Sequence, residues 1–501
     1  MGGTSRAFSK EGAVDHDVVA AALHPKFTVA TGPEQTSSHT WLDTFDWRLH
    51  AAGLSLQFAD GGPLVLQLPD GTRLQAPLAG LKWPAQAHEL PAGPLREALT
   101  PLIAPRALAP VVTVRSASQE ARVLDAEDKT VARLLTESVD DGTSQLRIQP
   151  LRGYDADGDR IARLLAKVEG FTAVSTTPYD LALTHAARSP ANGGNAVAPL
   201  QSETLAVVAI AQMLSGFAAV IDENVPGTIA SVDIEFLHDL RVAVRRTRSI
   251  LKLVGDVLPA QLAERFAPDF KWLGDLTTPV RDLDVYLFDF DVMAARLTSA
   301  SPGDLDPFRS FLVKHRTAER RKLVRGLRSK RFHDLLGDWR AELDEVSANA
   351  EGGPTVAGLA RRRLRQAYRN AARRGKRISE DSPSDDVHAL RKRCKELRYL
   401  LEVFKPVCDS TPHRALLKEL KSLQDILGDF QDGEVQREAV HEFAAAMMEQ
   451  GAAPPTTLLA MGEMAAQLDA HQLNARAALA SRLQPFLADE NRSRVKALVR
   501  R

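Results

Sequence analysis

Basic side chains recur in the same order at two places in the second part of the sequence. The first series is His238, Arg241, Arg245, Arg248 and Lys252, and the second, 150 positions later, is His388, Arg391, Lys395 and Arg398. Guanidinium and ammonium groups donate charge-assisted hydrogen bonds to phosphate and carboxylate oxygens, and arginine often donates two at once. Two matched series of this kind predict a binding site for an anion.

Each basic series forms one stripe of a predicted helix. Spacing of three and four residues returns to the same helix face, so successive cations rise about 5 Å along the axis. An apolar stripe lies one residue earlier, about 100° around each helix. Its members are Leu237, Leu240, Val244, Thr247, Leu251 and Val254, and in the second helix Val387, Leu390, Cys394, Leu397, Leu401 and Phe404. We expect the apolar stripes to be buried and the basic stripes to flank a groove between packed helices.

Like charges at this spacing repel each other by a few tenths of a kcal/mol per pair. A solvated charged face would explain one such helix, but two matched copies headed by histidine favour a bound anion. Salt bridges offer a further interpretation, and we expect nearby acids to orient some of the arginines. The acids concerned are Asp282, Asp284, Asp432 and Glu434.

The repeat continues beyond the two basic helices. Lys271 corresponds to Lys421, and Asp282 corresponds to Asp432, without any gap in the offset. We therefore predict two similar half-domains, at about 201–345 and 355–501, related by a pseudo-two-fold axis. Basic runs at 314–331 and 361–377 add positive charge around their helices.

Composition limits the partners that this chain can attract. The 501 residues contain 64 Lys and Arg and 64 Asp and Glu, so attraction for an anion must come from local clustering. Aromatic residues make up 6%, which leaves few platforms for base stacking, and no reading helix is recognisable. We therefore disfavour nucleic acid as a partner. His238 and His388 have no ligand residues in register, so we expect no metal or other cofactor.

Two cysteines and an N-terminus without an apolar run predict a cytoplasmic protein. Residues 204–221 are just long enough to cross a bilayer, but Gln212, Ser215 and Gly216 interrupt them. We interpret this segment as a buried helix and expect no membrane partner.

The chain changes character near residue 190. Short alternating apolar runs such as 53–58 and 64–68, separated by turn residues, predict a β-rich domain at 20–185 with helices at 93–104 and 157–168. Residues 186–200 are small, polar and rich in Gly and Pro, which indicates a linker. From 201 to 501 helical periodicity dominates, with predicted breaks such as Pro226-Gly227.

The helical part resembles the CHAD domain family. The resemblance rests on His238-Asp239-Leu240-Arg241, its copy at His388–Arg391, the segment 395–404 and the Arg281–Val285 ending. Gln431 and Gly433 depart from the first half, which has Arg281 and Leu283 there. The family implies two four-helix bundles with a basic channel, binding of inorganic polyphosphate, and association with polyphosphate granules.

By position, the family's basic motif falls on His238, Arg241, Arg245, Arg246 and Arg248, and on their counterparts in the second half. The full predicted polyphosphate-binding set is His238, Arg241, Arg245, Arg246, Arg248, Lys252, Lys271, Arg320, Arg369, His388, Arg391, Lys395, Arg398 and Lys421. Beside an anion the two histidines should gain protons more readily, so binding should strengthen as pH falls towards and below about 6.5.

The N-terminal part resembles a degenerate CYTH domain, the antiparallel β-barrel of tunnel-type triphosphatases, through residues 42–49 and 52–56. The predicted fold class is thus α+β, a barrel-like domain followed by an all-α domain. Gln57 and Ala59 replace expected arginines, Gln67 replaces a lysine, and 24–29 lack the expected glutamate pair.

Metal-assisted triphosphate hydrolysis needs clustered carboxylates and basic groups. We therefore expect no catalytic residue and no efficient hydrolysis. What remains of the pattern is Arg115, Arg122, Glu137, Arg147 and Arg152. The alternative function is a triphosphatase acting on tripolyphosphate or a related organic triphosphate in the barrel.

Overall fold

The chain divides into two compact units, Met1–Gly193 and Gly194–Arg501. A computed structural model describes residues 6–139, 143–174, 176–190, 200–379 and 381–499. The division falls inside the predicted linker at 186–200, of which residues 191–199 lie outside the described part of the chain.

Antiparallel strands form the centre of the first unit. Within the described residues the strands are β1 Ala7–Glu11, β2 Thr28–Thr44, β3 Ser55–Ala59, β4 Leu64–Gln67, β5 Arg73–Ala76, β6 Ala85–Gln86, β7 Ala107–Leu124, β8 Thr130–Val139, β9 Thr143–Pro150 and β10 Thr172–Ala173. Their order is β10-β1-β9-β8-β7-β2-β3-β4-β5, with β6 beside β7.

This sheet is open, so the barrel predicted from the sequence is wrong in that respect. In the described residues β5 and β10 end the strand order and do not pair with each other. Closure requires edge strands long enough to share a hydrogen-bonded register. Here β10 has two residues and β5 has four, whereas the central strands β2 and β7 have 17 and 18.

Five helices accompany the sheet in the described residues: α1 His16–Leu23, α2 Arg48–Ala51, α3 Pro94–Ile103, α4 Asp155–Leu165 and α5 Pro178–His185. The predicted helices at 93–104 and 157–168 are confirmed as α3 and α4. The predicted strand pair at 53–58 and 64–68 is confirmed as β3 and β4, which pair antiparallel. The turn between them contains Gly61 at φ 71°, which glycine adopts without strain.

The second unit is helical throughout its described elements. Its helices are α6 Ala206–Ala230, α7 Ile234–Val254, α8 Ala260–Ala294, α9 Asp306–Leu327, α10 Lys330–Ala348, α11 Val356–Gly375, α12 Ser384–Val403, α13 Ser410–Glu449, α14 Pro455–Leu487 and α15 Asp489–Ala497. The starts of α6, α7 and α8 each recur 150 positions later in α11, α12 and α13. The internal repeat predicted from the sequence is therefore confirmed in the helix boundaries.

Contacts between equivalent positions indicate an approximate two-fold axis between the halves. The Ala206 amide donates to the Pro354 carbonyl at 2.9 Å, and the Val356 amide donates to the Thr204 carbonyl at 2.9 Å. The two bonds are equivalent at the offset of 150 residues, because donor Ala206 corresponds to donor Val356 and acceptor Thr204 corresponds to acceptor Pro354. Farther along, the Tyr286 hydroxyl donates to the carbonyl of Gln436, which is its own counterpart, at 3.0 Å.

The apolar stripes of α7 and α12 are buried along their whole length, as predicted. They belong to one core that draws on both halves of the unit. A second core lies at the far ends of α8 and α13 and includes Leu283, Phe290, Phe308, Val440 and Met461, again from both halves. Two separate four-helix bundles therefore stay a prediction.

The break predicted at Pro226-Gly227 is wrong, because α6 continues through it to Ala230. Gly227 is needed there for packing, since a Cβ would overlap the ring of Phe236 on α7. Among the described helices, α6 alone has the length and composition to cross a membrane, and half of its most apolar stretch is buried inside the unit. Its buried residues join the same core as α7 and α12.

Candidate functional site

The basic stripes of α7 and α12 lie on two equivalent helices that contact each other. Lys252 and Glu396 link the helices through a 2.7 Å ion pair. Arg245 lies close enough to Lys395 to lower the pKa of its amine, although the two residues occupy equivalent positions. A cation and its own counterpart can be neighbours only near the approximate two-fold axis.

We use the term central basic cluster for the cations that gather around this axis. Its members are His238, Arg241, Arg245, Arg281, His388, Arg391 and Lys395. The cluster lies at the level where the two apolar cores of the unit meet, since α8 passes from Val280 in one core to Leu283 in the other. The central basic cluster therefore forms a polar layer between the two apolar cores of the unit.

Arg241 is held by α8. Its Nη1 donates to Thr278 Oγ1 at 2.8 Å, to Thr277 Oγ1 at 3.1 Å and to the Gly274 carbonyl at 3.4 Å. Burial lowers the pKa of the guanidinium, with Asp282 acting in the opposite direction. Within the described residues its Nε and Nη2 have no hydrogen-bond acceptor, so a positioned arginine keeps donors available for a ligand.

Arg391, the counterpart of Arg241, is held differently. Leu427 and Gly428 stand where the first half has threonines, and Arg391 instead contacts Asp432 through a 3.2 Å ion pair. The arginine side chain is 18% exposed and the aspartate 62%, so solvent weakens this pair. The buried Nε of Arg391 has no hydrogen-bond partner in the described part of the chain.

The two histidines differ in burial and in one neighbour, because Gln431 stands in the second half where the first half has Arg281. His238 is half-buried, and its pKa is lowered by burial and by Arg281. Nearby carboxylates oppose this shift only in part. His388 is exposed and hydrogen-bonds Gln431 Oε1 through Nδ1. In the free protein His238 therefore takes up its proton at a lower pH than an ordinary histidine.

The pKa of Lys395 responds to burial first and to the positive charge of the cluster second. Burial lowers the pKa of its ammonium to about 8, and Arg391 and Arg245 contribute to the shift. Asp432 opposes it but does not cancel it. A lysine whose charged form is disfavoured by neighbouring cations marks a site that would gain from an anion.

Of the acids considered from the sequence, Asp432 pairs with the stripe arginine Arg391, whereas Asp284 pairs with a residue outside the stripes. Asp284 is buried and pairs with Arg316 of α9, outside the two basic stripes. Burial raises the pKa of the Asp282 carboxyl, while Arg241 and Arg281 lower it. Arg320 donates from Nη2 to the Ile229 carbonyl at 2.6 Å, and its buried Nε has no partner among the described residues.

Several predicted site residues are engaged elsewhere. Lys271 is exposed and pairs with Asp275 on its own helix at 2.8 Å. Arg398 contacts Glu402 at 2.7 Å and Gln424 at 3.4 Å. Lys421 is exposed on α13.

The remaining predicted arginines lie against neutral surfaces or away from the cluster. Arg246 lies over the Phe217 ring, 5.9 Å from its centroid. The Arg248 guanidinium rests against Gly274, where a Cβ would come within 2.7 Å of Nη1. Arg369 lines a different pocket, between α11 and α15.

Sequence reasoning missed three kinds of contributor to this site. Arg281 was noted only as part of a motif, although it lies beside His238 and Arg241. Arg316 belongs to a basic run whose charges surround the helix. Periodicity therefore could not show which members of the run face inward. Thr277 and Thr278, which position Arg241, are uncharged and belong to neither basic stripe, so no signal in the sequence pointed to them.

The first unit contains its own polar cavity of about 380 Å³. Its lining includes the glutamines Gln35, Gln57, Gln67, Gln119 and Gln145. Two arginines, Arg73 and Arg147, face two glutamates, Glu120 and Glu137, so their charges balance. In the residues that the structure describes, no group of three or more His, Cys, Asp or Glu side chains is placed to hold a metal ion.

One family model matches part of the helical unit. The family model of the CHAD domain matches residues 212–441. Protein Rv2226 of Mycobacterium tuberculosis strain H37Rv, described as uncharacterized, is 28% identical over 219 residues. Protein MT2285 of strain CDC 1551, also described as uncharacterized, is 27% identical over the same length. Each match covers 42% of this chain and 40% of the relative, so the similarity spans two fifths of those proteins.

Two solved structures are also similar to part of this chain. The CHAD domain from the plant Ricinus communis is 26% identical, with 57% of this chain and 94% of that chain covered at a TM-score of 0.49. PptA from Streptomyces chartreusis is 17% identical, with 56% and 100% covered at a TM-score of 0.44. On the family match, the helical unit of this chain contains a CHAD domain.

Proposed function

We propose that the helical unit binds inorganic polyphosphate through the central basic cluster, and that it associates with polyphosphate granules in the cytoplasm. The observation that carries this proposal is the closeness of Arg245 and Lys395 near the approximate two-fold axis, where burial and the neighbouring Arg391 and Arg245 lower the pKa of Lys395 to about 8. Arg245 has no hydrogen bond or ion pair with any described residue. Positive charge held together without a partner favours an anionic ligand.

Polyphosphate suits this arrangement because it is a flexible chain with about one negative charge per phosphate. Arg241 and Arg391 stand at equivalent places on the two helices, so one chain can contact both as it crosses the axis. Each keeps donors that no described residue uses. Charge-assisted bonds and the release of counterions would supply the affinity, which should therefore fall steeply with salt.

The test is calorimetric titration of the full chain with long-chain polyphosphate at low and moderate salt. We expect tight, salt-sensitive binding in the wild type and strong loss in Arg241→Ala/Arg391→Ala. Because Arg241 also bonds to α8, a second variant, Arg245→Gln/Lys395→Gln, removes two cluster charges without breaking a described hydrogen bond. It should weaken binding at least about tenfold.

The matched control is Arg160→Ala/Arg163→Ala, which removes the same charge from exposed positions on α4 in the other unit. It should bind like the wild type. No binding in the wild type, or equal loss in the control and cluster variants, would refute the proposal. Competition with duplex DNA separates polyphosphate from nucleic acid, and DNA should compete poorly.

The alternative is a triphosphatase acting in the cavity of the first unit. Glu137 and Arg147 do line that cavity, and Glu137 raises the pKa of Arg147 against the effect of burial. Arg115, Arg122 and Arg152 are not among its lining residues. The balanced charge and the five glutamines favour a neutral ligand over a triphosphate. Phosphate release from tripolyphosphate with Mg²⁺ or Mn²⁺ tests this alternative, and we expect none above background.

A further inference from the structure

A basic pocket lies between α11 and α15, and no member of the central basic cluster lines it. Its volume is about 590 Å³, which is within the range of small-molecule sites. Six of its lining residues are cations and none is an acid. The cations are Arg361, Arg362, Arg365, Arg369, Arg492 and Lys496.

These cations form two short ladders. Arg361, Arg365 and Arg369 follow one another at four-residue spacing on α11, and Arg492 and Lys496 do so on α15. Such spacing places like charges on one helix face, where they repel by a few tenths of a kcal/mol per pair. The two ladders then face each other across one pocket, which adds further repulsion.

Most of this charge is uncompensated within the described residues. Arg362, Arg369, Arg492 and Lys496 are exposed and make no side-chain hydrogen bond or ion pair there. By contrast, some arginines between helices of this unit have carboxylate partners. Arg340 of α10, for example, pairs with Asp222 of α6.

The helical architecture does not require these cations. The repeat places Arg361, Arg362, Arg365 and Arg369 at the positions that Ala211, Gln212, Ser215 and Ala219 occupy on α6. In the first half the same face is therefore small and neutral. Because these charges occur in the second half alone, the packing that both halves share does not explain them. They point instead to a ligand bound by the second half.

The walls of the pocket are well anchored. The Tyr368 hydroxyl donates to the Phe486 carbonyl at 3.3 Å, and the fully buried Asn491 donates from Nδ2 to the Pro485 carbonyl at 2.9 Å. Arg365 donates to the Lys496 carbonyl at 3.2 Å, joining α11 to α15 directly. Cations on fixed helices lose little freedom when a ligand binds, which favours affinity.

We infer that this pocket is a second anion site that binds a compact triphosphate group, separate from the central basic cluster. The two short ladders line one pocket here, so a short, densely charged ligand fits better than an extended chain. Arginine forks match phosphate oxygens in pairs. An inorganic triphosphate and the triphosphate of a nucleotide share this chemistry.

The test is calorimetric titration of the full chain with inorganic triphosphate, and separately with ATP. The pocket variant is Arg369→Gln/Arg492→Gln/Lys496→Gln, which removes three exposed charges and no described side-chain bond. It should bind triphosphate at least about tenfold more weakly than the wild type. The comparison variant, Arg245→Gln/Lys395→Gln, should keep triphosphate binding while losing long-chain polyphosphate.

ATP that binds as tightly as inorganic triphosphate would assign a nucleotide, and ATP that fails to bind would assign an inorganic ligand. The inference is overturned if the wild type does not bind either probe at low salt, or if the pocket variant binds like the wild type. It is also overturned if the Arg245→Gln/Lys395→Gln variant loses all triphosphate binding. None of these results depends on whether the central cluster binds long-chain polyphosphate, so the two proposals can fail separately.

Discussion

Binding of a polyanion at the central cluster should draw a proton onto Lys395. With a pKa of about 8, this amine is about half protonated at pH 8 in the free protein. An anion between Lys395, Arg391 and Arg245 offsets their repulsion and raises the pKa towards the ordinary value. If the shift is fully reversed, each binding event takes up about 0.5 proton at pH 8 and about 0.1 at pH 7.

The same linkage sets the pH dependence of affinity. Full reversal of the shift would weaken binding by about tenfold between pH 7 and pH 9, because more of the free protein must first be protonated. Lys395 is only partly buried, and solvent screening makes both figures upper limits.

Calorimetry at pH 8 in two buffers of different ionisation enthalpy measures the proton uptake. Lys395→Arg is the matched control, because arginine stays charged throughout this range. The variant should bind polyphosphate, take up fewer protons and show a flatter pH dependence. Protons on the ligand itself affect both proteins equally, so the difference isolates Lys395. Equal uptake in the two proteins, or proton release by the wild type, would refute the reasoning.

Three further predictions follow from the described contacts. Without ligand, the pKa of Lys395 is lowered only in the folded protein, so the unfolded chain binds more protons between pH 8 and the ordinary lysine pKa. The free energy of unfolding therefore increases with pH in this range. The melting temperature of the wild type should accordingly rise relative to that of Lys395→Arg as the pH increases from 7 to 9. Asp432→Asn frees Arg391 from its carboxylate and should strengthen polyphosphate binding up to about fivefold in calorimetry, whereas weaker binding would contradict this role. Gly227→Ala forces overlap with Phe236 and should destabilise the chain by about 1–3 kcal/mol in chemical denaturation. The control Gly337→Ala, in open space within α10, should stabilise it by about 0.5–1 kcal/mol.

Local periodicity was sufficient to predict much of the helical unit. The apolar stripes of α7 and α12 are buried at every predicted position, and the helix starts repeat at the predicted offset of 150. These features depend on residues three to four positions apart on one helix, so the order of residues along the chain already contains them.

Closure of the N-terminal sheet could not be predicted in the same way. The predicted hairpin of β3 and β4 is present, since a turn joins neighbours in the chain. Closure depends instead on whether β5 and β10, about a hundred residues apart, are long enough to meet, and they are not.

The sequence by itself determined which residues form the two basic stripes and on which helix face each lies. Only the tertiary structure decided that Arg245 meets Lys395, that threonines hold Arg241 while a carboxylate holds Arg391, and that α15 completes a basic pocket with α11. The physical reason is one of range. Helix faces follow from spacing of a few residues, whereas the electrostatics of a site depends on groups that folding brings together from tens to more than a hundred positions apart.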